Sequence, residues 1–127
     1  MQDVYLFGVA SRRAEWLSNR QTVVAENVAN ANTPEYRARD IASFQEAMEM
    51  TRLEMKASSP MHLASFGGRA DEAAEVREED SWEVVHSGNS VSLEQEMMKA
   101  GEINREYSLN TSVVKSFHRM LLTTLRG

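Results

Sequence analysis

One long helix is predicted by residues 92–125, SLEQEMMKAGEINREYSLNTSVVKSFHRMLLTTL. Mostly apolar side chains recur there every three or four residues, which is the spacing of one helix face. The face is formed by Leu93, Met97, Ala100, Asn104, Tyr107, Thr111, Val114, His118, Leu121 and Leu125, and it is widened by Ile103, Val113, Phe117 and Met120. Ser92, followed three residues later by Gln95, has the pattern of a capping box at the helix start. Gly101 lies inside this helix, where glycine costs about 1 kcal/mol relative to alanine, and it indicates a close backbone approach.

A second long helix is predicted at the other end of the chain. Its apolar side chains follow the same spacing; they are Leu6, Val9, Ala10, Trp16, Leu17, Val23, Val24, Val28 and Ala31. Arg13 and Arg20 interrupt this line twice. No glycine or proline occurs between Val9 and Thr33, so we expect a helix of about 28 residues, roughly 40 Å long.

The segment between these helices carries most of the negative charge. Residues 40–80 hold ten acidic side chains against four basic ones, whereas both ends are close to neutral. Residues 43–60 predict a short helix with a Ser43–Glu46 capping box and a stop at Ser59-Pro60. Residues 65–80 predict an exposed loop, and residues 81–91 predict a short strand that ends in a Gly-Asn turn.

These elements predict an all-α dominated fold, in which the long N- and C-terminal helices pack as an antiparallel coiled-coil-like pair. Residues 1–31 and 92–127 are expected to form one discontinuous axial domain. Residues 32–91 are expected to form an acidic connecting segment with a short helix and a small β element. A two-helix pair buries only its contact line, and independent stability usually takes three or more packed elements. We therefore expect neighbouring molecules to cover the remaining apolar surface.

Composition excludes several classes of function. The chain has 127 residues, a net charge of −5 and no cysteine, so nucleic acid and anionic membranes are not expected partners, and disulfide and thiolate chemistry are excluded. No run approaches the roughly 20 apolar residues of a membrane span. The apolar residues 4–10 follow Asp3 rather than a basic residue, so we expect no cleaved signal peptide.

No catalytic residue, cofactor site or metal site is predicted. Glu83 and His86 have the Glu-x-x-His spacing of carboxylate-bridged iron sites, but such sites need two of these pairs on facing helices. His62, His86 and His118 have no partners at metal-ligand spacing. A small-molecule substrate is not expected.

Three asparagines end the first helix, in ENVANANTPEYRARD at residues 26–40. The simplest interpretation is capping, because asparagine tolerates the left-handed conformation that ends helices, and Pro34 forces Thr33 out of the helix. One amide would suffice for that role. Asn27 and Asn30 share a helix face, so their side chains are also placed to bond beyond their own backbone.

This stretch resembles the N-terminal signature of the rod, hook and hook-associated proteins of the bacterial flagellum, Asn-hydrophobic-Ala-Asn-x-Asn-Thr-Pro-Gly-Tyr. Residues 88–125 resemble the C-terminal segment of the same family, Gly-Asn-x-Val-Asp-Leu-Glu-x-Glu-Met followed by a helix with tyrosine. Longer members carry large inserted domains, whereas this chain has a short middle, and LEQEM is most similar to the FlgB family of proximal rod proteins. The other short proximal rod protein is the main alternative within the family. Glu35 replaces the usual glycine, for which we expect a type I turn. Ser92 replaces the usual aspartate and is an equally good cap.

The resemblance implies a structural subunit of the flagellar basal-body rod, stacked helically around the export channel and transmitting torque. It implies export into the periplasmic space without a cleaved signal peptide. The implied partners are other copies of the chain, other rod proteins, the rod-to-membrane-ring junction protein, the membrane ring and the export gate. The predicted subunit interface is formed by Leu6, Ala10, Arg13, Leu17, Arg20, Val24, Asn27, Asn30, Asn32, Thr33, Pro34, Tyr36, Leu93, Met97, Tyr107, Val114, Phe117 and Leu121.

Two other interpretations remain open. A soluble helical adaptor would bind a single partner through its apolar stripe. A small helical-bundle enzyme or metal carrier would need a catalytic constellation that the sequence does not supply.

Overall fold

The computed structural model describes residues 2–57, 76–78 and 90–127. The elements follow in the order α1 (Gln2–Ala29), β1 (Arg39–Ile41), α2 (Phe44–Ala57), β2 (Val76–Glu78) and α3 (Leu93–Arg126). At 1.5 Å per residue, α1 is about 42 Å long and α3 about 51 Å. The prediction of a mostly helical chain with two long terminal helices and a short middle helix is confirmed. No helix in the described ranges is long and apolar enough to cross a bilayer.

The terminal helices pack side by side in opposite directions. Near the start of α1, the Phe7 ring lies edge-on to Phe117, with 5.6 Å between centroids. Further along α1, the Asn110 Nδ2 group donates a hydrogen bond to the Ala10 carbonyl at 3.0 Å. Residue numbers fall along α3 as they rise along α1, so the predicted antiparallel pair is confirmed.

The contact line of α3 repeats every seven residues. Ile103 packs in a buried apolar cluster with Leu17 and Val24 of α1, and Trp16 and Ala100 pack against this cluster. We call the contact positions on α3 the seam; they are Glu96, Ile103, Asn110 and Phe117. A seven-residue repeat is the geometry of a coiled coil, and here two of its four positions are polar.

The connecting segment folds back onto α1. The Trp16 indole Nε1 donates a hydrogen bond to the Ala42 carbonyl at 2.9 Å, and the Trp16 ring lies edge-on to Phe44 at 6.0 Å. Trp16 therefore fixes the place where β1 ends and α2 begins. β1 then pairs with β2 as an antiparallel two-stranded sheet, in the register Arg39–Glu78, Asp40–Arg77 and Ile41–Val76.

The sheet corrects the interpretation of residues 65–80. The expected small β element in residues 32–91 is confirmed, but its position was not predicted: Val76–Glu78 form β2 where a loop was expected, and no strand was expected at β1. Strands of three residues are too short to show a two-residue periodicity, so only pairing defines them. Most of the predicted strand at residues 81–91 is not tested, because residues 81–89 lie outside the described ranges. Its last two residues, Ser90 and Val91, are not in a strand.

The two predicted capping boxes have different outcomes. At α2 the box is confirmed, because the Glu46 N–H donates to Ser43 Oγ at 3.3 Å and the Ser43 N–H donates to Glu46 Oε2 at 3.1 Å. At α3 it is wrong, because Ser92 occupies the cap position but its hydroxyl makes no capping hydrogen bond. Correct spacing permits a capping box, but it does not force the hydroxyl to turn toward the helix.

Gly101 faces away from α1. A Cβ atom placed on it would meet nothing within 4 Å. The predicted close backbone approach is therefore wrong for contacts within the described part of the chain.

Candidate functional site

The Asn27 side chain is the centre of a hydrogen-bond network between the helices and the connecting segment. It is fully buried. Its Nδ2 group donates to the Arg39 carbonyl at 2.7 Å and to Glu96 Oε2 at 3.1 Å. Its Oδ1 atom accepts from the Arg39 N–H at 3.0 Å and from the Tyr36 hydroxyl at 3.4 Å. All of these bonds lie within one chain, so Asn27 joins α1, β1 and α3.

Charged side chains continue this network. The Lys99 ammonium lies 3.0 Å from Glu96 Oε1 and 3.9 Å from Asp40 Oδ2. Arg20 donates from Nε and Nη2 to the two oxygens of Asp40, at 3.2 and 3.1 Å. We call Arg20, Asn27, Asp40, Glu96 and Lys99 the polar cluster. With two acids and two bases it is electrically balanced.

Burial makes this balance necessary. Glu96 has no exposed surface and Lys99 keeps only 7%. Burial alone would lower the pKa of the Arg20 guanidinium, but the hydrogen bonds and charge of Asp40, with the charges of Glu102 and Glu106, outweigh it and raise that pKa. Within the described ranges, every buried side-chain nitrogen and oxygen has a hydrogen-bond partner. Removing one member of such a network leaves another polar group buried and unpaired, which is strongly destabilising.

Asn30 and Asn32 differ from Asn27. Asn30 Nδ2 donates to the Glu26 carbonyl at 2.8 Å, and its Oδ1 accepts from the Thr33 hydroxyl at 3.2 Å. These bonds close the last turn of α1, as in the capping interpretation. Asn32 is exposed. The three amides therefore have three environments, which their spacing did not distinguish.

The turn after α1 contains a strained residue. The Tyr36 N–H donates to the Thr33 carbonyl at 3.3 Å, and Glu35 has a φ of 61°. The expected type I turn is wrong, because a positive φ at this position belongs to a type II turn, which usually takes glycine there. The turn thus has glutamate at a position whose backbone conformation favours glycine.

Ser90 ties this turn to the start of α3. Its hydroxyl accepts a hydrogen bond from the Ala38 N–H at 2.8 Å, and its own N–H donates to the Tyr36 carbonyl at 3.1 Å. The two family-like segments, around residues 27–40 and 90–99, thus meet at one place in the structure.

Two apolar lines on α3 remain exposed on either side of the seam. The outer apolar line consists of Leu93, Met97, Tyr107 and Leu125, with exposed fractions of 51, 73, 52 and 82%. The second apolar line consists of Met98, Leu109, Val113 and Met120, all of them exposed. At 100° per residue the two lines lie on opposite flanks of the seam. The helix pair therefore leaves α3 apolar on two sides.

The predicted interface residues fall into three groups. Those buried within the chain are Ala10, Leu17, Val24 and Asn27. Those half-buried are Leu6, Arg13, Arg20, Asn30, Tyr36, Val114, Phe117 and Leu121. Those exposed are Asn32, Thr33, Pro34, Leu93, Met97 and Tyr107. The interface itself stays a prediction, and the exposed group is the one available to neighbours.

The sequence interpretation missed Asp40, Ser90, Glu96 and Lys99. For Glu96 and Lys99 a signal was present, because they precede Ile103 by seven and four residues and so share its inner face. Charged residues on the inner face of a helix indicate ion pairs with charged residues of the element packed against it. Arg20 lies on the inner face of α1. Asp40 and Ser90 had no such signal, because their partners depend on how the connecting segment folds back.

No metal site is present among the described residues, where no group of three potential ligands occurs. The Glu83–His86 pair lies outside them. His118 is exposed.

Comparison with known proteins finds a family model that matches one segment and a relative that matches nearly the whole chain. A family model described as flagella basal body rod protein matches residues 8–37, which include most of α1 and the turn. The flagellar basal body rod protein FlgB of Agrobacterium fabrum (strain C58) is 47% identical over 131 residues, which cover 99% of this chain and 96% of the relative.

Proposed function

The chain belongs to the FlgB family of flagellar basal-body rod proteins, and we propose that it forms part of the proximal rod as one of many helically arranged copies. It is a structural, non-enzymatic component of the flagellar basal body. In the proposal, the copies surround the export channel and transmit torque from the membrane ring toward the hook. The proposed partners are further copies, other rod proteins, the rod-to-membrane-ring junction protein, the membrane ring and the export gate. Export without a cleaved signal peptide, into the periplasmic space, is part of the same proposal.

The outer and second apolar lines of α3 support this assembly most directly. A helix in a two-helix pair needs one apolar contact line, whereas α3 has a seam and an apolar line on each side of it. An open helical array needs two different contact surfaces on each subunit, because every copy has a neighbour on both sides. Two separate apolar lines meet that requirement, whereas an adaptor with one partner requires only one.

Cysteine labelling tests whether neighbours cover the outer apolar line. The chain has no natural cysteine, so single substitutions Met97→Cys and Tyr107→Cys report only their own positions. We expect a maleimide reagent to label both in the purified chain and neither in assembled rods, because neighbours would exclude the reagent. Glu49→Cys on α2 is the matched control, since it is also exposed but lies outside the helix pair, and we expect it to be labelled in both states.

Two results would contradict the proposal. Equal labelling of positions 97 and 107 in rods and in the free chain would mean that the outer apolar line is not an interface. Protection in a complex with one copy of one partner protein would support the adaptor instead.

Asn30→Ala provides a test in living cells. We expect reduced swimming and reduced rod assembly at an unchanged level of protein, because Asn30 lies at the turn where α1 ends and is partly exposed to neighbours. Normal swimming would remove Asn30 from the proposed interface.

A further inference from the structure

Exposed methionines lie on both apolar lines of α3. Met97 on the outer apolar line keeps 73% of its surface exposed, whereas Met98 and Met120 on the second apolar line keep 75 and 59%. The other two methionines whose side chains the structure describes are on α2, where Met50 is 43% exposed and Met48 is half-buried. Of these five thioethers, the three most exposed therefore lie on α3.

Met97 and Met98 place one thioether on each apolar line at the same level of the helix. Consecutive residues of a helix point about 100° apart, so a single reagent can reach both lines here. Oxidation of methionine to its sulfoxide turns a flexible apolar side chain into a polar one. A sulfoxide buried in an apolar contact without a hydrogen-bond partner weakens that contact. Each line thus carries a group whose polarity one reaction can change.

We infer that Met97 and Met98 are oxidant-sensitive modification sites, and that their sulfoxides prevent the free chain from assembling. Only the assembly part rests on the proposed function, since oxidation is a property of the single chain. A peroxide is the oxidant. Its O–O bond breaks, one oxygen atom forms the S–O bond of the sulfoxide, and hydrogen peroxide is reduced to water while the thioether sulfur is oxidised. Methionine sulfoxide reductases reverse this change.

The position of the two methionines makes a single oxidation sufficient to stop growth. Every copy in an open helical array needs a contact surface toward each of its two neighbours. A chain oxidised at Met97 or at Met98 loses one of these surfaces, so it can join the array but cannot be extended. Oxidation of Met50 on α2 leaves both apolar lines intact.

Peroxide treatment of the purified full-length chain tests the chemical part. Peptide mass spectrometry follows the gain of one oxygen atom at each methionine with time. We expect Met97 and Met98 to be oxidised before Met48, because the half-buried thioether of Met48 is less accessible to the reagent. Oxidation of Met48 first would overturn the inference.

Self-association of the same chain tests the consequence, with sedimentation velocity over a range of concentrations as the measurement. We expect oxidation to weaken association at least about tenfold, because a methionine side chain contributes that much or more when it is buried in an apolar contact. Treatment with a methionine sulfoxide reductase and its reductant should restore association.

The matched control is the chain with Met97→Leu, Met98→Leu and Met120→Leu. Leucine keeps the apolar character and nearly the volume of methionine but has no sulfur, so this variant should associate equally well before and after peroxide. Its Met50 remains available to the oxidant, and therefore the variant also reports any effect of oxidation outside α3.

Three results would count against the inference. Unchanged association of the oxidised native chain would overturn it and leave the proposed function standing. Loss of association in the oxidised leucine variant would overturn it as well, because other residues would then carry the effect. An untreated native chain that stays monomeric at every concentration would contradict the proposed function and, with it, the assembly part of the inference.

Discussion

The two ends of the helix pair are held together in different ways. At the end near Asn27 and Glu96, the helices are joined by a buried polar cluster and covered by β1 and the turn. At the end near Phe7 and Phe117, the described contacts are one pair of aromatic rings and nearby hydrogen bonds such as that from Asn110. The first end has its own core, whereas the second is two helices with exposed apolar flanks. A lone chain should therefore be ordered at one end and labile at the other.

The largest expected effect comes from removing the centre of the ordered end. Asn27→Ala should lower the free energy of unfolding by about 3 kcal/mol, because it leaves the buried Glu96 carboxylate without its amide donor and removes both side-chain partners of the Arg39 backbone. Urea unfolding of the purified chain measures this. Asn32→Ala is the control, and since Asn32 is exposed it should stay within about 0.5 kcal/mol of the native chain. Similar losses in both variants would contradict the difference between the ends.

Hydrogen exchange compares the two ends directly in the native chain. Amides of residues 16–27 and 96–103 should exchange at least about tenfold more slowly than those of residues 5–9 and 119–126, a difference of about 1.4 kcal/mol in local opening. The reason is that the first set lies at the ordered end. Uniform protection along both helices would show that the chain is complete without neighbours, as expected of an adaptor.

The turn that covers the ordered end offers a stabilising substitution. Glu35→Gly should raise the free energy of unfolding by about 0.5–1 kcal/mol, because Glu35 has a positive φ that glycine adopts without a Cβ clash. Thermal unfolding measures the gain. Glu35→Ala removes the same side chain but keeps the Cβ atom, so it should bring no gain. An equal gain from alanine would mean that the glutamate side chain, rather than the backbone, is the source of strain.

The smallest expected effect is the difference between two glycine substitutions, one at each end of the helix pair. Alanine at Gly8 or Gly101 would meet nothing within 4 Å, and alanine is favoured in helices by up to about 1 kcal/mol. Gly101→Ala should stabilise the lone chain by nearly this amount, whereas Gly8→Ala should add less, because its end of α1 is already open part of the time. Circular dichroism during urea unfolding measures both. A greater gain from Gly8→Ala would reverse the assignment of ordered and labile ends.

The sequence predicted the features that depend on residues close together in the chain, and it missed those that depend on residues far apart in the chain. Long apolar repeats predicted α1, α3 and their pairing, because periodicity is a property of neighbouring residues. The same repeats indicated a wide stripe on α3 but not which part of it meets α1. Glu96, Lys99 and Asp40 lie at that contact, and their partners come from distant parts of the chain. A small β element was expected in the connecting segment, but the positions of β1 and β2 were not, since each has only three residues.

The family-like motif shows the same division. Its residues were recognisable from the sequence. Its amides were expected to bond beyond their own backbone, and the Asn27 side chain does so, to Arg39 and Glu96. The individual roles were not predictable, because burial separates Asn27 from Asn30 and Asn32 although their spacing suggests three equivalent groups. Glu35 was misjudged because the local preference of glutamate for negative φ is overridden by the contacts of Tyr36 and Arg39 with Asn27.

The pairing of β1 with β2 has a consequence for engineering. Adjacent strands lie about 4.8 Å apart, so the chain leaves the helix pair and returns to it at nearly the same point. A domain whose N- and C-termini lie close together could therefore be inserted between residues 57 and 76 without separating α1 from α3. Doubling the length of such an excursion adds only about 0.6 kcal/mol of closure entropy. The β1–β2 sheet would hold the two ends of the insertion together, so that an inserted domain of any size leaves the helix pair unchanged.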